Sequence, residues 1–358
     1  MAKKKKFPVL AMCALSVIFS GCSQYIVRNI AASAMVNLGH RYATPWFLAS
    51  EDIALICATG EGMSGIAYPL GPKVDSLVPM LSVATAICAE ERAKEQELRY
   101  IRAMHTNDVE TAQDARSLEN RWLLIAARRN YTGYQAAVRT FGEPDPDCPR
   151  LRDRKERLSY LLGLVAGVQA FQMDLATGST LGIPTDTPSK VLVATQCLNS
   201  DDYWGLPDAM RAMSEMMLAA VADDGAALET AEATLNRASA VGEARGVRLV
   251  QALQAELYAK QGNIEMAKQV IRNHVASKQQ IQPNPQFRLL DSLATRRLTL
   301  ISDQLWTQAT GHRTPYDKLG TFWDDAPTHK TSLRIEDLLP PPGSANLLQP
   351  DTEAGENR

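Results

Sequence analysis

The sequence predicts an all-α chain built of paired helices, and three observations carry that expectation. Apolar residues recur at helical spacing through most of the chain. Strand-type alternation is scarce. The helical stretches, each several turns long, are separated by short Gly or Pro breaks.

The elements follow in order. Between 75 and 105, Leu77, Met80, Leu81, Ala84, Ile87 and Cys88 form an apolar stripe. The later part of that stretch is charged, with Glu90/Lys94 and Glu95/Arg99 four apart, pairs worth about 0.2–0.5 kcal/mol each. A second helix is expected over 114–140, ending at Gly142-Glu143-Pro144, and a third over 151–176. A Pro/Thr loop is expected around Pro184 to Pro188. Shorter helices follow at 207–222, 226–240, 244–260, 264–276 and 285–310. The segment 321–358 contains Pro340-Pro341-Pro342-Gly343 and ends polar, so it is expected to be disordered.

The clearest repeat unit is Tyr258-x-x-x-Gly262-Asn263-x-x-x-Ala267-x-x-x-Ile271. It reads as a helix, a glycine turn, and a second helix whose small residue permits close approach. That resembles the second half of a tetratricopeptide repeat, and Ala231, Leu235 and Ala238 echo it. Gln251 and Gln254 stand where the repeat usually has Trp and Leu. The expected architecture is therefore tetratricopeptide-like helical hairpins in a single solenoid-like domain, 22–320.

The N-terminus carries Lys3 to Lys6, then an apolar run from Phe7 to Phe19, then Ser20-Gly21-Cys22. The run is shorter than the roughly 20 residues a membrane span needs. Basic start, short apolar core and small residues before the end describe a secretory signal, 1–21. Small residues directly before Cys22 resemble a bacterial lipobox, although Phe19 stands where Leu is usual. The resemblance implies cleavage before Cys22 and acylation of that cysteine, with Ser23 favouring the outer membrane. A signal peptide cut nearby, or an uncleaved anchor, are the other readings.

Removing 1–21 takes away four lysines and no acids, moving the net charge from −2 to about −6. No basic stripe is left for nucleic acid. Cys57, Cys88, Cys148 and Cys197 remain; in an oxidising envelope they allow three pairings, of which Cys57–Cys88 and Cys148–Cys197 tie neighbouring segments. Buried free thiols are the alternative. The cysteines have no metal-type spacing.

Several motifs invite chemistry and fall short of it. Gly60-Glu61-Gly62-Met63-Ser64-Gly65 satisfies G-x-G-x-x-G, but Pro69, Gly71 and Pro72 would break the helix a dinucleotide needs; a glycine-rich bend between helices is expected. Ser64 follows Gly62 at the nucleophile-elbow spacing, but Ile66 stands where the second glycine would be needed, so no elbow is formed. His40, His105, His274, His312 and His329 are scattered. The pairs Asp201-Asp202, Asp223-Asp224 and Asp324-Asp325 sit at expected breaks and read as caps and turns. No catalytic constellation, metal site or cofactor is expected, so the chain reads as a non-enzyme.

The stretch Tyr160 to Phe171 is apolar nearly all round, with Gly163 and Gly167 four apart. It reads as a central core helix or as the wall of an apolar cavity. Trp122 to Tyr134 carries Tyr131, Gly133 and Tyr134 on one helix, and tyrosines with an apolar ring and polar tip suit a lipid with a hydroxyl. Core packing is the competing reading. Candidate ligand-binding residues are Trp122, Tyr131, Tyr134, Tyr160, Leu164 and Phe171.

With Cys22, the Tyr-Thr-Gly-Tyr run within 123–134 and the degenerate helical repeats, the chain is similar to the T-component (TatT-like) lipoproteins of TRAP transporters. That resemblance implies an all-helical fold with an apolar cavity. It also implies partners: a membrane reached by the lipid anchor, a hydrophobic small molecule, and a transporter or periplasmic binding protein. The expected function is binding and hand-over of a lipid or sterol-like molecule on the periplasmic side of the envelope. The alternative is a helical-repeat scaffold that binds other envelope proteins.

Overall fold

Helix-favouring residues and side-chain caps set the element order. The computed structural model describes residues 9–325, with side chains from Gln24 onward; these residues form twelve α-helices and no strand. Helix α1 spans Val9–Leu38, passes through a π-helical turn at Gly39–Ala43 into α2, Thr44–Ala49, and is followed by α3, Ile53–Ala67. Two 3-10 turns lead to α4, Val78–His105, α5, Val109–Phe141, and α6, Arg154–Ala176. Then come α7, Thr187–Ala194, α8, Leu206–Ala222, α9, Gly225–Ala244, α10, Leu249–Lys260, α11, Ile264–Gln280, and α12, Arg288–Thr310. The backbone of Cys22 lies in α1; its side chain is outside the described residues, as are residues 1–8 and 326–358. Residues up to Trp323 make one unit, and Asp324 begins another.

The N-termini are closed by acids or an amide. Asp52, Asp108, Asp153, Asp224 and Asn263 each accept a backbone N–H of the first turn. Each such cap is worth about 1 kcal/mol. Asp224 thus caps α9, while Asp201 and Asp202 begin a 3-10 turn.

Two expectations are corrected. The glycine-rich bend at Gly60–Gly65 is the middle of α3, an unbroken helix. Gly60 is tolerated there because its face presses on Ala84 and Thr85 of α4, where an added Cβ would come within 3.2 Å of the Ala84 Cβ. The expected loop at Pro184–Pro188 is partly helix: Pro188 sits in the first turn of α7, where its missing N–H has no helical partner to lose.

Helices α4, α5 and α6 pack side by side as one layer. Cys57 on α3 and Cys88 on α4 lie at disulfide distance, Cα–Cα 5.6 Å, and so do Cys148 and Cys197, 5.3 Å. Further along, α8–α9 and α10–α11 form hairpins, and α12 packs against α10, α4 and α2. The second hairpin turns at Gly262, whose positive φ is a left-handed conformation that glycine adopts at no steric cost. Tyr258, Ala267 and Ile271 are all buried there. Beyond residue 320, Phe322 is also buried, and the rings of Trp306 and Trp323 meet edge to face, centroids 5.8 Å apart.

One buried charge organises the ends of three of these helices. Arg248, just before α10, is fully buried, and its Nη1 donates to both oxygens of Asp291 on α12 at 2.9 Å. Its Nε donates to Ser277 Oγ at 2.8 Å, and Nη2 reaches the carbonyls of Ser277 and Ile281 at the end of α11. The guanidinium fork is thereby fully used, which a lysine could not reproduce. Removing one member leaves the other charged and buried. Arg248→Met is expected to cost about 3–5 kcal/mol, while Arg248→Met/Asp291→Leu costs markedly less. Urea unfolding of both variants checks this, and equal losses would contradict it.

Candidate functional site

Four of the six candidate ligand-binding residues come together in the structure. Tyr131 and Tyr134 on α5 stack with ring centroids 6.2 Å apart, and Tyr160 and Leu164 on α6 belong to the same apolar cluster. Phe141 meets Tyr160 edge to face at 5.5 Å. Trp122 and Phe171 are half-buried and outside that cluster; Trp122 lies under the guanidinium of Arg92 on α4, 4.7 Å from the ring.

The interfaces of α5 with α4 and α6 are filled rather than hollow at these residues. A Cβ added to Gly167 would lie 2.6 Å from the Tyr134 ring, and one added to Gly163 2.2 Å from the Ala137 Cβ. One added to Gly133 would meet the Ser82 Cβ of α4 at 2.8 Å. Gly133 is thus where α5 approaches α4 closely. Burial raises the Tyr134 phenol well above its ordinary value and pushes Tyr160 up to about 12. The Tyr160 hydroxyl is buried without a hydrogen-bond partner among the described residues. Both phenols stay neutral at any physiological pH.

The sequence pointed to no site in the first three helices, but the structure opens a groove there. A cavity of about 610 Å³ lies between the end of α1, the π-turn, α2 and α3. It is walled by Met35, Leu38, Tyr42, Trp46, Met63 and Ile66, with Arg41 and Thr59 as its polar points. That volume falls in the range of about 300–1,000 Å³ typical of small-molecule sites. A smaller hollow of about 380 Å³ adjoins it at Trp46, Ala49, Ser50, Glu51 and Arg288.

Ties to the α4–α5 layer hold the groove wall in position. Glu61 on α3 pairs with Arg129 on α5 at 2.8 Å, and Arg129 also donates to the carbonyl of Thr85. Tyr68 and Ser82 share a hydrogen bond of 3.0 Å. At the start of α4, Asp75 receives two hydrogen bonds from Arg139 on α5, at 2.7 and 3.0 Å. Helix α3 is thus fastened along its length, which lets its far side present Met63 and Ile66 to the groove.

A second polar cluster does structural work in the C-terminal hairpins. His274 is buried on α11, with Nδ1 against Gln251 at 2.8 Å and Nε2 against Thr295 at 2.9 Å. Gln254 donates to Asn236 at 2.9 Å. The two glutamines that depart from the repeat pattern are therefore buried and satisfied by polar neighbours.

No family model matches the chain, and neither a curated protein nor a solved structure matches it.

Burial lowers the His274 pKa to about 4, with smaller opposing and reinforcing effects of Asp291, Lys278 and Arg248. The unfolded chain titrates near 6.5, so below that pH it takes up a proton that the folded state refuses. Stability is then present above pH 6.5 and lost as pH falls toward 4. The expected loss is roughly 3 kcal/mol. Urea unfolding at pH 7 and pH 4.5 measures it, and His274→Gln is expected to remove most of the difference. An unchanged slope in the variant would contradict the assignment.

Proposed function

We propose that this protein is an exported, lipid-anchored envelope protein. It holds a hydrophobic small molecule, lipid or sterol-like, and passes it on as an accessory of a transport system. The observation that carries the reading is the apolar groove at α1–α3. It lies on the same helix, α1, that contains Cys22, so its ligand and the membrane are at one end of the chain. Binding would come from apolar contact, at roughly 25 cal/mol per Å² removed from water. Arg41 and Tyr42 at the wall would orient a polar headgroup or hydroxyl.

Non-enzymatic carriage fits a site that is apolar with one or two polar points. The relation to TRAP-associated T-component lipoproteins rests on Cys22, the Tyr131–Tyr134 run and the helical hairpins. In this reading the Tyr131, Tyr134, Tyr160 and Leu164 cluster is the frame on which the groove is held, and the ligand sits elsewhere.

The scaffold reading has its own support. The α5–α6 interior is filled, and α8 exposes Met217, Leu218 and Val221 along one stretch. A protein partner could cover that strip.

Solvent extraction of the purified protein, followed by mass spectrometry, separates the two. The carrier reading expects a lipid-like species at about one per chain. Trp46→Glu or Met63→Glu should abolish it while the helical circular dichroism is retained. Trp122→Glu should leave it in place. A clean extract, repeated after incubation with total membrane lipids, would sink carriage and leave the scaffold.

A further inference from the structure

The groove is part of a wider apolar surface. Tyr25, Ile26, Val27, Ile30 and Leu38 on α1 are exposed, as are Tyr42, Trp46, Leu55 and Ile66 on the following segments. Soluble surfaces scatter such residues singly; here they are concentrated in the first three helices. Between residues 24 and 72 the only charged side chains are Arg28, Arg41, Glu51, Asp52 and Glu61, whereas charged residues make up 22% of the chain. Two of the five are already paired, Glu61 to Arg129 and Glu51 to Arg288.

Two stretches of the described residues are long and apolar enough to cross a membrane, and they differ in burial. Arg154–Ala176 is half buried and serves as the core helix α6; Ile53–Leu70 is only 22% buried. Core packing therefore accounts for the first and leaves the second unexplained. Spanning is not open to Ile53–Leu70, because Cys57 faces Cys88 and Glu61 faces Arg129, both on the α4–α5 layer. An apolar helix fastened along one side to a folded body can still lie flat against a bilayer with the other side.

We propose that the exposed face of α1–α3 sits in the headgroup region of the bilayer, so that the groove opens toward lipid. The occupant is a lipid surface because of where the chain goes. Helix α1 is continuous through residue 22, so Tyr25 stands within one helical turn of that residue and Ile30 little more than two turns beyond it. Whatever attaches residue 22 to a membrane brings this face down onto it. The composition suits that depth: Tyr and Trp rings favour the interface, and Arg28 and Arg41 extend their charged ends to phosphates. Arg28 lies over the Tyr25 ring, 5.8 Å from its centre. The inference rests on the membrane attachment proposed above, and it adds the source of the ligand, which is the bilayer itself.

The test uses the full chain reconstituted into phosphatidylethanolamine/phosphatidylglycerol vesicles that contain lipids brominated near the headgroup or deep in the acyl chain. Tryptophan fluorescence should be quenched, and more by the shallow label. Trp46→Phe should remove that quenching, whereas Trp122→Phe and Trp204→Phe should retain it. Ile30→Glu with Val27→Glu, on exposed positions outside the groove, should lose about half of the quenching. A single lipid exchanged into the groove would also quench Trp46, but it would be insensitive to Ile30→Glu. Quenching that survives Trp46→Phe, or that ignores the Ile30 and Val27 changes, would overturn the proposal. A clean solvent extract together with Ile30-sensitive quenching would remove the carrier reading and leave this one standing.

Discussion

Where α5 crosses α6, α6 has no room for a side chain at Gly163 or Gly167, and much else follows from that. Gly163 faces Ala137, Gly167 faces the Tyr134 ring, and Gly133 faces Ser82 on α4. Interiors packed to this density leave gaps smaller than a methyl group around such contacts. Any larger residue at Gly163 would have to displace α5, because the obstruction is a Cβ attached directly to its backbone. The layer α4–α6 is consequently a rigid wall, and the apolar ligand proposed above would have to be accommodated outside it. Helix α3, fastened to that wall through Glu61, Tyr68 and Cys57, supplies the place.

The C-terminal hairpins are organised by a different principle. Their centre contains Arg248, Asp291, His274, Gln251 and Gln254, all buried and all hydrogen-bonded. Such a network adds little stability over apolar residues of the same volume, yet each member has only one geometry in which its partners are satisfied. The register of α10, α11 and α12 is defined that way. Salt bridges Arg296–Glu91 and Arg297–Glu90 then join α12 to α4, so the hairpins and the wall are held together.

Most of the helices from α4 to α12 were legible because their apolar periodicity is unbroken and their ends carry Asp, Asn, Gly or Pro. The cysteine partners were legible because each pair closes a short path along the chain. Helix α3 was hidden for a physical reason. Gly60, Gly62 and Gly65 lower intrinsic helicity by about 1 kcal/mol each, and of the three only Gly60 makes a close contact with α4. Tertiary contact is invisible to a local pattern. The filled interior was half legible: the all-round apolar Tyr160 to Phe171 stretch read as a core helix or a cavity wall, without saying that Tyr134 and Ala137 would occupy the space at Gly163 and Gly167. The groove was not legible at all, since Met35, Trp46 and Met63 belong to three separate helices and become neighbours only after the π-turn at Gly39–Ala43 and the loop at Ser50. Gln251 and Gln254 looked like lost repeat positions and proved to be the partners of His274 and Asn236.

The proposed hydrophobic ligand and the proposed membrane contact would both meet the chain at α1–α3. Photo-crosslinking with a diazirine fatty acid, applied to the full-length protein in membranes and read by peptide mass mapping, addresses this directly. Adducts concentrated within residues 31–66 are the expected result. Adducts within 122–134 and 160–171, with none at 31–66, would contradict the account and return the ligand to the α5–α6 interior.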